Sequence, residues 1–195
     1  MPHRHLKILI AGGGIGGITN ALALRQRGIE AILFEQAEAF SQVGAGIQLS
    51  ANATRVLRAL GLGDALARVA IYPEGRDYRA WDDGDRLYWT PLGERAEAYF
   101  GAPYYHAHRA DLLNVLLGGL GETGFRLSAH VDRFEQDAHG VTVTLADGAV
   151  AMGDILVGAD GIHSTVRAQL FGRESTSRGA GSLLRSGLPI WISAG

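Results

Sequence analysis

Leu6-Lys7-Ile8-Leu9-Ile10-Ala11-Gly12-Gly13-Gly14-Ile15-Gly16-Gly17-Ile18 decides how the rest of the chain is read. A short apolar run enters a glycine cluster, and an amphipathic pattern leaves it. Gly12, Gly14 and Gly17 satisfy G-x-G-x-x-G, the spacing that lets a backbone turn tightly and come close to a pyrophosphate. The helix that follows offers unpaired N–H groups and the positive end of its dipole to that anion. Residues 6–11 read as a buried strand and 15–27 as a helix, with Ile15, Ile18, Leu22 and Ala21 inward and Gly28 as its terminator. Ile29 to Phe34 reads as a second strand, so the first 35 residues form a right-handed βαβ unit.

Glu35 ends that second strand, 18 residues after Gly17. This is close to the ~20 expected of the acidic residue that accepts hydrogen bonds from ribose hydroxyls. A carboxylate there repels a 2′-phosphate, so the expected dinucleotide is FAD or NAD rather than NADP.

Composition excludes several classes. Apolar residues make up 47% of the 195, enough for a core. The net charge of -2 has no long run of one sign, which argues against nucleic acid as a partner. The chain has no cysteine, so disulfides, thiolate catalysis and Cys-ligated metals drop out. No apolar segment approaches the roughly 18 residues of a membrane span, and a cytoplasmic protein without stable membrane association is expected.

Further along, Gly44-Ala45-Gly46-Ile47 suggests backbone lying against a flat ligand or another strand. Ser50-Ala51-Asn52 starts a helix with Val56, Leu57 and Leu60 inward and Gly61 at its end. A shorter helix begins at Gly63-Asp64. Arg76 to Trp89 reads as a hairpin around Asp82-Asp83-Gly84-Asp85, with aromatics that suit either core packing or an aromatic cavity. His106 and His108 alternate as on a strand; a metal pair there lacks a third ligand in sequence, and no metal is expected. A helix follows, to about Leu117. Arg109 at its start opposes the helix dipole, which a bound anion or a cofactor edge would explain. Phe125–Phe134 and Val141–Leu145 read as strands of an antiparallel ribbon, with Asp147-Gly148 as a hairpin turn. Asp154 to Arg167 reads as a buried strand, a Gly158-Ala159-Asp160-Gly161 turn and a helix capped near Ser164. Asp160 suits sugar hydroxyls, and an ordinary capped junction is the alternative. After Gly172 the chain becomes polar and aperiodic.

Four blocks in this order resemble the single-component FAD-dependent aromatic hydroxylases, with the salicylate and 3-hydroxybenzoate 6-hydroxylase branch the most similar. They are Gly12–Gly17; Gly44-Ala45-Gly46-Ile47 with Leu49, Asn52 and Ala53; His108-Arg109-Ala110-Asp111-Leu112; and Gly158-Ala159-Asp160-Gly161 with Ser164 and Arg167. The resemblance covers about residues 6–172. It implies a Rossmann-like α/β fold with a parallel sheet, an antiparallel β ribbon and part of a β-rich substrate region. Residues 1–172 would be the FAD-binding domain, with an inserted substrate-domain segment at about 73–105 and an irregular tail over 173–195.

The resemblance also implies roles. Gly12, Gly14, Ile15, Gly16 and Gly17 would wrap the pyrophosphate, with Glu35 and Gln36 beside the adenosine. Val131 would meet the adenine through its backbone, and Asp160 would serve FAD and the transient NADH or NADPH. Gly46 and Ile47 would lie near the flavin ring, Arg109 would approach it, and Gln48 would face the substrate. Glutamine cannot act as a general base. The implied activity is hydroxylation of a small phenolic ring by NAD(P)H and O2, with a homodimer for the full-length parent. A second FAD signature of the Gly-Asp-Ala type is missing here, so a truncated or frame-shifted product is expected. A non-catalytic FAD-binding remnant is the alternative.

Overall fold

The computed structural model describes residues 6–40, 45–121, 124–172 and 190–193. Gly44 and most of the 173–195 tail therefore lie outside the described residues. The chain divides into two units, one of Met1–Ser41 with Leu116–Gly195 and the other of Gln42–Val115.

The first unit starts with strand β1 (Lys7–Ala11), helix α1 (Ile15–Gln26) and strand β2 (Glu30–Phe34). Ile8, Leu9, Ile10 and Ala11 are all buried, as a strand covered on both faces requires. Helix α1 buries Gly17, Ile18, Ala21 and Leu22. It ends before Gly28, whose φ of +70° is the left-handed terminator read from sequence. β1 pairs in parallel with β2, Lys7 opposite Glu30 and Ala11 opposite Phe34. The expected βαβ unit is therefore present.

The second unit runs in order through β3 (Gly46–Leu49), α2 (Ala51–Ala59), α3 (Gly63–Val69), β4 (Gly75–Arg79), β5 (Arg86–Pro91), α4 (Gly93–Phe100) and β6 (Tyr105–His108). Helix α5 (Arg109–Leu120) then carries the chain back to the first unit. β3 pairs antiparallel with β6, and β4 with β5. Two features differ from the sequence reading. Val56 is exposed on α2, and Thr54 takes the inward place beside Leu57. The Thr54 hydroxyl donates to the Pro103 carbonyl at 2.7 Å, so this buried polar group is satisfied. Helix α4 was not foreseen. Its buried residues are only Gly93 and Ala96, too small to print an apolar stripe.

Glu97 on α4 accepts from Arg58 at 2.7 Å and from the Tyr72 hydroxyl at 3.0 Å. The Arg58 guanidinium holds the Glu97 carboxyl below its ordinary range. A lowered carboxyl stabilises the fold fully above the unfolded value, and the contribution is lost as the pH falls through the folded one. Glu97→Gln should therefore flatten the acid limb of a Tm-against-pH profile below about pH 5. Unaltered acid sensitivity would show that the pair contributes nothing.

The chain re-enters the first unit through β7 (Phe125–Arg126), β8 (Val131–Asp137), β9 (Gly140–Leu145), β10 (Val150–Gly153), β11 (Ile155–Gly158), α6 (Thr165–Phe171) and β12 (Ile190–Ser193). The main sheet has the order β12-β11-β1-β2-β7, parallel except for β12. β8, β9 and β10 form the antiparallel ribbon. The single strand expected over Phe125–Phe134 is thus two. Phe125 pairs with Leu33 in the main sheet, whereas Val131 pairs with Leu145 in the ribbon. Ser128, at φ +51°, turns the chain between them.

Val141, Val143 and Leu145 alternate inward as read. They join Leu9, Phe34, Phe134, Leu156 and Val166 in one buried cluster. Each fully buried side chain of this size contributes about 1.5–3 kcal/mol. Gln169 fastens α6 to the ribbon: its amide donates to the Phe134 carbonyl at 2.5 Å and accepts the Phe134 N–H at 3.1 Å. Arg25 on α1 donates to the Leu120 and Gly119 carbonyls, closing the last turn of α5 with a cation.

Candidate functional site

The site in the first unit grows from the tight join between β1 and α1. Gly12 lies at φ +101°, and a Cβ there would stand 2.3 Å from the Ala159 carbonyl oxygen. A Cβ on Gly17 would stand 1.9 Å from the Gly12 carbonyl oxygen. These two glycines let the loop, the helix and the β11–α6 turn touch through backbone alone. Gly14 is different: a Cβ there would meet nothing within 4 Å. It is the N-cap of α1, with no side-chain cap bond and no acidic residue in the first turn. The N–H groups of that turn have no intrahelical acceptor.

Gly12 and Gly14 line a cavity of about 270 Å³ together with Glu35, Gln36, Val131 and Asp160. Six of the residues singled out from sequence thus converge on one hollow. Gly16 is exposed and Ile15 half-buried beside it. His130, His163 and Thr165 also line the cavity, and the sequence reading did not select them. Their only signal was adjacency to Val131 and to the Asp160 turn.

Both acidic residues are already engaged by backbone. Glu35 Oε2 accepts the Gly13 N–H at 2.6 Å and Oε1 accepts the Ala37 N–H at 2.9 Å. The carboxylate thereby fixes the glycine loop against the end of β2. Asp160 Oδ1 accepts the Ser164 hydroxyl at 2.5 Å, and Oδ2 accepts the Val166 N–H at 3.1 Å. Ser164 Oγ accepts the Arg167 N–H at 2.9 Å. The capped junction weighed as an alternative for Asp160 is therefore present, and each carboxylate oxygen retains further acceptor capacity towards the cavity. Arg167 donates to the Ile162 carbonyl at 3.5 Å. Ser164→Ala removes a buried cap and should lower stability by about 1 kcal/mol, read as a shift of the urea midpoint. An unchanged midpoint would show that the cap is dispensable.

Gly46, Ile47, Gln48 and Arg109 belong to the second unit. β3 holds the first three, with Gly46 opposite His108, Ile47 opposite Ala107 and Gln48 opposite His106. Arg109 opens α5, and its N–H donates to the Ala45 carbonyl at 3.1 Å. His108 Nδ1 accepts the Ala110 N–H at 3.3 Å, a local cap for the same helix. No group of three or more metal-ligating side chains occurs among the described residues. Among them, too, no helix is long and apolar enough to cross a membrane. Gln48 Oε1 accepts from Arg76 at 2.9 Å and from the Tyr104 hydroxyl at 2.7 Å. The sequence reading did not single out Arg76 or Tyr104, since residues 48, 76 and 104 meet only through strand pairing.

A family model described as FAD binding domain matches residues 5–184. The 3-amino-4-hydroxybenzoate 2-monooxygenase of Streptomyces cremeus is 40% identical over 188 residues, covering 96% of this chain and 47% of that protein. The 3-hydroxybenzoate 6-hydroxylase of Polaromonas naphthalenivorans (strain CJ2) is 42% identical over 170 residues, 86% of this chain and 42% of that one. Klebsiella pneumoniae HpxO, solved with FAD and uric acid, superposes with a TM-score of 0.77 at 32% identity, over 85% of this chain and 41% of its own. The chain spans less than half the length of these relatives.

Proposed function

The chain belongs to the FAD binding domain family, and on that premise we propose that it holds FAD for a monooxygenase that hydroxylates a small aromatic ring with NAD(P)H and O2. The observation that carries this is Gly14, where a Cβ would meet nothing within 4 Å, in the wall of a cavity that also gathers Glu35, Val131 and Asp160. These residues fit the adenosine and pyrophosphate of FAD. Gly12 and Gly14 let the backbone approach the pyrophosphate, and Ile15, Gly16 and Gly17 set N–H groups and the helix dipole against its charge. Glu35, with Gln36 beside it, accepts from the ribose hydroxyls. Val131 meets the adenine through its backbone, and Asp160 accepts from the sugar or ribityl hydroxyls. Gly46, Ile47 and Arg109 as flavin contacts, and Gln48 as a substrate contact, are proposed on family resemblance. When bound, FAD supplies the oxygen chemistry after taking electrons from NAD(P)H. The protein binds, orients and excludes water. We assign the whole protein to the cytoplasm, as a homodimer.

The test is direct. The purified chain, incubated with FAD and desalted, should retain about one flavin per chain, seen as yellow absorbance and quenched flavin fluorescence. A colourless product at saturating FAD would overturn the proposal. NADH oxidation stimulated by a phenolic acid supports the full activity, and flavin retained without turnover supports a binding module alone.

A further inference from the structure

Gly13 occupies a variable position of G-x-G-x-x-G, yet a side chain there has no room. A Cβ on it would stand 2.8 Å from Phe40 Cε1, 2.8 Å from Glu35 Oε2 and 2.9 Å from Glu35 Cβ. The place of a side chain is taken by the Phe40 ring and the Glu35 carboxylate. Glu35 Oε2 also accepts the Gly13 N–H at 2.6 Å. Gly13 is thus held by a hydrogen bond on its nitrogen and by the edge of an aromatic ring beside its Cα.

Phe40 reaches the loop from the chain that leaves β2. That segment is anchored twice: the Ala37 N–H donates to Glu35 Oε1 at 2.9 Å, and the Ala37 carbonyl accepts the Ser128 N–H at 3.0 Å. The Phe40 ring then meets Phe125 of β7 edge to face, with centroids 5.3 Å apart and planes at 72°. Such a pair orients both rings. Phe40 is not among the residues that line the cavity of about 270 Å³, so it acts on a ligand there only through the loop.

Gly12, Gly13 and Gly14 are three successive residues without side chains, and glycine has the most backbone freedom to lose on ordering. An anion at the start of α1 needs N–H donors aligned at contact distance. A loop that samples other conformations is competent for only a fraction of the time, and the apparent affinity falls by that fraction. We propose that Phe40 is a positioning residue for the cofactor: its ring, braced by Phe125, restricts Gly13 and keeps the Gly12–Gly14 backbone in the form that receives a pyrophosphate. The inference rests on the proposed function for the identity of the ligand. The restriction itself is a property of the FAD-free chain.

The experiment is FAD titration followed by flavin fluorescence, at a temperature where far-UV circular dichroism shows each variant folded, together with amide NMR spectra of the FAD-free chain. Phe40→Ala should weaken FAD about tenfold, and Phe40→Leu, which keeps apolar bulk against Gly13, should stay within about threefold of the parent. In the spectra the Gly13 amide carries the ring current of Phe40. In Phe40→Ala its resonance should move and its exchange with solvent should quicken, while the amide of Gly28 stays where it was. Phe40→Val should lie between alanine and leucine, and it decides the matter if Phe40→Ala fails to fold. A ring that only adds stability would lower Tm in the variants and leave FAD affinity of the folded chain unchanged, and that result overturns the inference. A Gly13 resonance and exchange rate unaltered by loss of the ring overturns it equally. If the parent itself takes up no FAD, the proposed function fails, and the Gly13 amide alone decides this inference.

Discussion

Gly17→Ala should strongly destabilise the first unit. The new methyl would stand 1.9 Å from the Gly12 carbonyl oxygen and 3.0 Å from its carbon. Both atoms are backbone, so no side chain can swing aside. Relief requires α1 to lift from the loop by about 1 Å, which separates Ile18, Ala21 and Leu22 from the strand they cover. Alanine favours a helix over glycine by about 1 kcal/mol. Overpacking costs about 1–3 kcal/mol and occasionally more, and with only backbone to meet the methyl the upper end applies, so the clash decides the sign. Against a total stability of about 5–15 kcal/mol the loss is large. Far-UV circular dichroism and the urea midpoint measure it. Gly16→Ala is the control one residue earlier: its Cβ would meet nothing within 4 Å, and the variant should be as stable as the parent or slightly more so. Equal midpoints for the two variants would mean that α1 does not sit on the loop as described.

What was legible in the sequence follows the range of the interactions involved. The βαβ unit needed only contiguous residues: an unbroken apolar run, the glycine spacing, a helical stripe and a terminator. The Ser164 cap was legible for the same reason, since Asp160 and Arg167 lie only four and three residues from Ser164. The inward β9 face was legible because Val141, Val143 and Leu145 alternate with threonines. Legibility failed where a residue's partner is remote. Thr54 faces inward in place of Val56 because the Pro103 carbonyl waits 49 residues away. Ser128 breaks a strand-like stretch because β7 and β8 belong to different sheets. Arg76 looked like one more polar residue of a hairpin until Gln48 and Tyr104, each 28 residues off, were found on its guanidinium. The motif glycines form an instructive middle case. G-x-G-x-x-G announces that three positions tolerate only glycine, and the structure separates them by cause: backbone contact at Gly12 and Gly17, open space at Gly14.

That separation gives the sharpest test of the proposed cofactor. Gly14→Ala should leave the fold intact and lose FAD. Gly14 has φ -74° and ψ -176°, which alanine adopts without strain. Its Cβ would enter unoccupied space, so no protein atom has to move. Restricting the unfolded chain favours such a change by about 0.4–1 kcal/mol, and alanine's poorer fit at an N-cap offsets it, so the net effect on stability should be small. The methyl nevertheless projects where a pyrophosphate must come against the N-terminus of α1, and the N–H donors there act only at contact distance. Pushing the anion outwards lengthens several charge-assisted bonds together, each worth about 1.5–3 kcal/mol. FAD affinity should therefore fall at least tenfold, and a hundredfold if two bonds are lost, while Tm changes little. Fluorescence titration of FAD and a thermal melt of the same sample read the two effects separately. A variant that melts like the parent and still binds FAD equally well would show that the pyrophosphate does not sit on this loop. One that loses both flavin and fold would show that Gly14 is a packing residue like Gly17.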